Sequence, residues 1–222
     1  MADARLSFGG GGDLPCHRAI LAARSRLFRK VLSARGASDE PRVIHIDEKV
    51  LPRRFAPALL HAAYTDQVDL SLIQRAPSSP TSTNSSGTSN AAWPGSGGRG
   101  SHSAQLEDAF QLYEIARFME MPILAQGCEE RLVAQLSPAT LPRLLRWAVQ
   151  PHASRYVHRQ AMRYLLDEFH TVMSSPHGPR VPRAALARAL ASSELQCSEP
   201  QALRAVLRWA EHAPNNTQQP SK

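Results

Sequence analysis

The chain has 222 residues, carries 26 Lys plus Arg against 19 Asp plus Glu for a formal net charge of +7, and contains three cysteines. That length can bury a core, but Cys16, Cys128 and Cys197 form no CxxC pair and no even-numbered framework, which argues against a disulfide-built secreted module. No segment reaches the roughly 20 apolar residues of a membrane span, and "ADARLSFGGGG" lacks the basic start and apolar run of a signal peptide, so a soluble intracellular protein is expected, in the cytoplasm, the nucleus or both.

Lysine occurs only at Lys30, Lys49 and Lys222, and the arginines stand singly in segments such as "LPRLLRWAV" and "VPRAALARALA". Spaced that way they read as the solvated faces of helices, and no aromatic-interleaved basic stripe supports direct binding of nucleic acid.

"ARLSF", residues 4–8, alternates polar and apolar with Leu6 and Phe8 on one face, the pattern of a half-buried strand. Gly9–Gly12 could pass for a phosphate loop, but a GxGxxG fingerprint fails at Leu14 and no Gly-Lys-Ser/Thr follows. The glycines are read as a tight hairpin turn, with "DLPCH" returning as a second strand. From Ala19 the spacing of Ile20, Ala23 and Leu27, continued by Phe28, Val31 and Leu32, predicts a helix. "RVIHID" at 42–47 is a third strand, with Val43 and either Ile44 or Ile46 inward. Pro52 opens a helix whose buried stripe is Phe55, Leu59, Leu60 and Ala63.

Residues 74–105 are Ser/Gly/Pro/Thr-rich with Trp93 as the single aromatic, too little apolar surface to offset the entropy of ordering. A disordered insertion is predicted there, replaceable by a short linker because loop closure costs grow slowly with length. Ser79–Pro80 within it is a phosphorylation candidate, and the sequons "NSS" and "NNT" mean little without a secretory route.

From Leu106 two helices follow, the first carrying Phe110, Tyr113, Ile115 and Phe118, the second opened by Pro122 and burying Leu124, Cys128 and Leu132. Ser137 before Pro138 reads as a cap with proline at the first helical position. Beyond it, "RYVHRQAMRYLLDEFHTVM" has an apolar stripe at Val157, Ala161, Leu165, Phe169 and Val172. The last helix, "SEPQALRAVLRWAEH", begins with a capping box of Ser198 and Gln201, and the tail from Ala213 is polar. The sum is an α+β fold, short strands with a helical cluster, followed by an all-helical region.

Cys16 beside His17 raises the question of a metal or catalytic site. A metal needs three or four converging ligands, and adjacent side chains on an extended segment point to opposite faces, so a structural role is expected. No GxSxG elbow, phosphate loop or HExxH pair appears, so no catalytic residue, cofactor or metal is assigned.

Taken in order, "DARLSF", the glycine turn, "LPCHRAILAARSRLF", "VIHIDEKVLPRRFAPALLHAAYTDQVDL" and "FQLYEIARFMEMPILAQGCEERL" resemble a BTB/POZ domain on both sides of the insertion. "LLRWAV", "HRQAMRYLLDEFHTVM" and "ALASSELQCSEPQALRAVLRWAEH" resemble a BACK domain. The organisation expected is thus a BTB/POZ domain over 1–136 with the insertion at 74–105, a BACK-like domain over 137–212, and a disordered tail at 213–222.

The resemblance implies a non-enzymatic interaction adaptor that assembles with itself, with other BTB domains or with a cullin scaffold of a ubiquitin ligase, or a regulator of epithelial gene expression and morphogenesis. It also implies an alternative, a self-associating transcriptional-regulator type of module that recruits a corepressor, for which Asp3 and Arg18 match the charged-pocket pair. Only Met1 and Ala2 precede "DARLSF", so the helix that members exchange to build a dimer is not expected, and the chain stops before a substrate-selecting domain. Cullin-binding members carry a hydrophobic-x-Glu motif before the third strand. Its counterpart here, Ala37-Ser38-Asp39, offers a methyl group and a shorter acid; losing a hot-spot side chain costs about 2 kcal/mol or more, roughly thirtyfold in affinity.

Overall fold

The computed structural model describes residues 2–9, 11–33, 42–74 and 98–212, and the chain divides into two compact units, Met1–Cys128 and Glu129–Lys222. Residues 75–97 of the expected insertion and the tail at 213–222 lie outside the described residues.

The N-terminal unit is built on a three-stranded sheet. Strand β1 (Ala4–Phe8) runs antiparallel to β2 (Gly11–Cys16) and parallel to β3 (Arg42–Ile46), in the order β2-β1-β3. The alternation predicted for β1 is observed: Ala4, Leu6 and Phe8 are buried while Arg5 faces out. β3 departs from expectation. Parallel pairing sets Leu6 opposite Ile44, so Ile44 is buried and Val43 points outward, 40% exposed; one residue of register decides the face.

The helix expected from Ala19 is two helices, α1 (Arg18–Arg24) and α2 (Arg26–Ser33), broken at Ser25. Ser25 is extended (φ −130°, ψ 124°), and its buried hydroxyl accepts the Phe28 N–H at 3.1 Å while donating to the Met119 carbonyl at 2.6 Å. It is an N-cap for α2 supplied from a non-helical residue. The break rotates α2, so the buried residues are Leu21 and Phe28 rather than the row of Ile20, Ala23 and Leu27.

Helix α3 (Ala56–Thr65) follows a single 3₁₀ turn over Arg53–Phe55 and buries Phe55, Leu59 and Ala63 as predicted, with Ala56 and Ala62 in place of Leu60. Helix α4 (Gly98–Phe118) begins ahead of the predicted end of the insertion at 105. Once Leu106, Ala109 and Phe110 anchor the helix by burial, adding turns at its free end costs little, because propagation needs no new nucleus. Helix α5 (Pro122–Ala134) buries Leu124 and Cys128. The intervening turn is closed by Glu120 at φ 51°.

The C-terminal unit is all helical among the described residues: α6 (Leu141–Ala148), α7 (Arg155–Asp167), α8 (Phe169–Ser174), α9 (Arg183–Leu190) and α10 (Glu199–His212). Val157, Ala161, Leu165, Phe169 and Val172 are all fully buried, the stripe the spacing predicted. All but Val157 join Leu141, Leu145, Val181 and Leu186 in one core. Ser137 closes a turn with Thr140 rather than capping a helix at Pro138, and α6 starts at Leu141. Ser154 caps α7 by accepting the Val157 N–H at 3.2 Å. At α10, the Ser198 N–H donates to Gln201 Oε1 at 3.0 Å, the second half of a capping box. Trp209 lies against the unit with its indole N–H on the Val181 carbonyl at 3.0 Å.

Candidate interaction surfaces

The turn from β2 into α1 gathers the residues that raised the first chemical question. Cys16 is 1% exposed, and burial, helped by the nearby Asp3 charge, pushes its thiol up to about 11. His17 points away from it to Tyr64, whose hydroxyl accepts the His17 backbone N–H at 2.9 Å and lies 2.8 Å from the ring Nδ1. Neighbours on an extended segment therefore serve two different environments. Among the described residues, no group of three or more His, Cys, Asp or Glu side chains could hold a metal ion.

Asp3 and Arg18 meet at the same corner. The Arg18 backbone N–H donates to Asp3 Oδ1 at 2.8 Å and its Nε to Oδ2 at 3.3 Å. The backbone donor foremost, with the guanidinium beside it, holds the Asp3 carboxyl below its ordinary value against a smaller effect of burial. Asp3 thus satisfies the first turn of α1, as a capping acid does. Ala37 and Asp39 lie outside the described residues.

A larger feature escaped the sequence. Phe118, counted with the apolar positions of its helix, is 57% exposed at the end of α4, and Ile123 is 43% exposed just past the turn. On one side of the α4–α5 turn, Phe118, Ile115, Phe55 and Val50 line an open groove of about 530 Å³ with Lys49 and Glu114 at its rim. On the other, Met121, Ala116 and Ala125 line a second of about 320 Å³ beside Arg26 and Glu120. Lys30 of α2 bridges to Glu120 at 3.1 Å, an exposed pair that orients more than it stabilises.

Behind the first groove stands an ion pair that reasoning from local pattern could not find. Arg54 donates to Asp108 Oδ1 at 3.0 Å, contacts Gln111 and lies over the Phe55 ring, 4.3 Å from its centroid. Asp108 keeps only 5% of its side chain exposed, so removing Arg54 would take a cation away from a buried acid. The pair fixes the 3₁₀ turn before α3 against α4, and with it the floor of the groove. Neither partner has a sequence signature, because 54 residues separate them.

Exposed apolar side chains at a polar-rimmed groove mark a contact surface for another macromolecule. The family model for the BTB/POZ domain matches residues 1–79, and the model described as BTB And C-terminal Kelch matches residues 145–222. Over 220 residues the chain is 35% identical to BTB/POZ domain-containing protein 7 of Homo sapiens and, equally, to that of Mus musculus. These alignments take in 93% of this chain and 19% of each relative, so the chain spans about a fifth of their length. With both models matched in this order, the chain belongs to the proteins that carry a BTB/POZ domain followed by a BACK domain.

Proposed function

We propose that this chain is a non-enzymatic adaptor that joins a ubiquitin-ligase scaffold of the cullin type through the face formed by α2 and the α4–α5 turn. The exposure of Phe118, which lines the first groove at the end of α4, carries the reading. An aromatic with more than half its surface in water offers the kind of anchor that interface cores favour. The three free thiols fit a reducing compartment, cytoplasm or nucleus.

Ala37 and Asp39 remain part of this proposal as weak counterparts of a family motif, so the groove residues supply most of the binding. Against the corepressor alternative stands the use already made of the Asp3–Arg18 pair: its donors and acceptors serve the start of α1. Self-association stays as the competing outcome. Calorimetric titration of the chain with the cullin amino-terminal region provides the test. Phe118→Asp should weaken binding by about tenfold or more, and the pair Ala37→Leu, Asp39→Glu should tighten it. Absence of binding, with a concentration-dependent dimer in its place, would give the case to self-association.

A further inference from the structure

Helix α10 carries side chains that the α4–α5 face does not use. Its inner side rests on the unit through Ala202, Ala205 and Trp209, and its outer side does not follow the usual polar pattern. Leu203 and Leu207, one turn apart and therefore on one face, are 61% and 54% exposed. Next to them on the helix, Arg204 and Arg208 are again one turn apart. Together with His170, Ser174 and Gln201 they line a groove of about 200 Å³ between α8 and α10.

The donors in this groove outnumber the acceptors. Arg204 directs its Nε at the Pro200 carbonyl at 3.2 Å, and Arg208 directs one Nη at the Ser174 carbonyl at 2.9 Å, where it caps the end of α8. Each guanidinium keeps the rest of its fork of N–H groups, and an arginine has no acceptor. Gln201 is oriented by the capping box: its Oε1 receives both the backbone N–H and the hydroxyl of Ser198, which leaves its amide NH₂ to donate. No aspartate or glutamate lines the groove. Like charges one helical turn apart destabilise a helix by a few tenths of a kcal/mol, a cost that a bound anion would relieve.

We propose that this groove binds a phosphomonoester on a serine or threonine of a partner protein, with the partner's following apolar side chains laid on Leu207 and Leu203. Two guanidinium groups, an imidazole and an amide converge on a volume equal to roughly seven waters at about 30 Å³ each. A phosphomonoester brings about −1.5 to −2 charges and three acceptor oxygens, which matches several donors better than the single charge of a carboxylate. The arrangement stands on the C-terminal unit alone, independent of the partner proposed for the α4–α5 face. It would let the second domain read the modification state of what the first domain helps assemble.

The test uses the full chain and a fluorescein-labelled hexapeptide with phosphoserine followed by two leucines, beside the same peptide with serine or glutamate in its place, read by anisotropy. The phosphopeptide should saturate and bind about tenfold tighter than either counterpart, and inorganic phosphate should compete. Arg204→Gln, which leaves the Arg208 cap of α8 in place, should lose most of that preference with an unchanged melting temperature. Leu207→Ser should weaken all three peptides alike, and Arg188→Gln should change nothing. Equal affinity for the phosphoserine and glutamate peptides, no saturable binding, or full binding by Arg204→Gln would each overturn the proposal.

Discussion

A glycine in the middle of a helix costs about 0.5–1 kcal/mol relative to alanine, so Gly127 of α5 should be improved by Gly127→Ala on propensity alone. The packing reverses that expectation. A Cβ at this position would stand 2.5 Å from Val68 Cγ2 and 3.4 Å from Val68 Cβ, whereas carbon atoms rest at about 3.5–4.0 Å. Val68 is 6% exposed, and its branched side chain has little rotamer freedom with which to retreat. Overpacking of this kind costs about 1–3 kcal/mol, which exceeds the gain in propensity and leaves a net loss of about 1–2 kcal/mol. Val68→Ala alone removes two methyl groups, about 1.6 kcal/mol at about 0.8 per group. In that background the obstacle is gone, and Gly127→Ala should become stabilising by about 0.5–1 kcal/mol, a coupling of about 2 kcal/mol between the two positions. Urea denaturation followed by far-UV circular dichroism, with calorimetry beside it, measures the cycle. Tryptophan emission is set aside because two of the three tryptophans, Trp147 and Trp209, belong to the C-terminal unit and would mix its signal with that of α5. If Gly127→Ala stabilises the native background, or costs the same with Val68→Ala, then close approach is not what requires the glycine.

Gly178→Ala should cost the C-terminal unit about 2 kcal/mol or more, because the added Cβ meets backbone at 2.6 Å from the Met173 carbonyl oxygen and 2.9 Å from its Cα; an unchanged unfolding midpoint in Trp fluorescence would contradict this. Ser25→Ala removes a buried hydroxyl that serves both Phe28 and Met119, for a loss of about 2–3 kcal/mol, and the α2 amides should exchange faster with deuterium. Unchanged protection of the Phe28 amide would refute the capping role. The Cys16 thiol, pushed up from its ordinary value to about 11 by burial, holds its proton to higher pH folded than unfolded. Its contribution is therefore complete below about 9 and lost as pH rises toward about 11, so the native chain should lose more stability than Cys16→Ala between pH 8 and pH 10.5, and parallel losses in urea titrations would count against it.

Local order was legible wherever one short-range rule governed. The stripe from Val157 to Val172 reached the core because a helix repeats every 3.6 residues whatever its neighbours do, and Ser198 with Gln201 formed its box because both partners lie within one turn. The hairpin of β1 and β2 followed from alternation and glycine.

What the tertiary structure decided depends on residues far apart in sequence. Val43 faces out because β3 pairs in parallel with β1, and no property of "RVIHI" selects that register. Ser25 divides α1 from α2 because its hydroxyl finds a carbonyl 94 residues away. Phe118 shares the apolar character of Tyr113 and Ile115, yet stands in water at the end of α4 where no other element covers it among the described residues. Hydrophobicity tells which side chains benefit from burial, but only the packing of distant segments determines which of them receive it. Phe118, Leu203 and Leu207 are the exposed remainder, and their exposure follows from that packing rather than from their own apolar character.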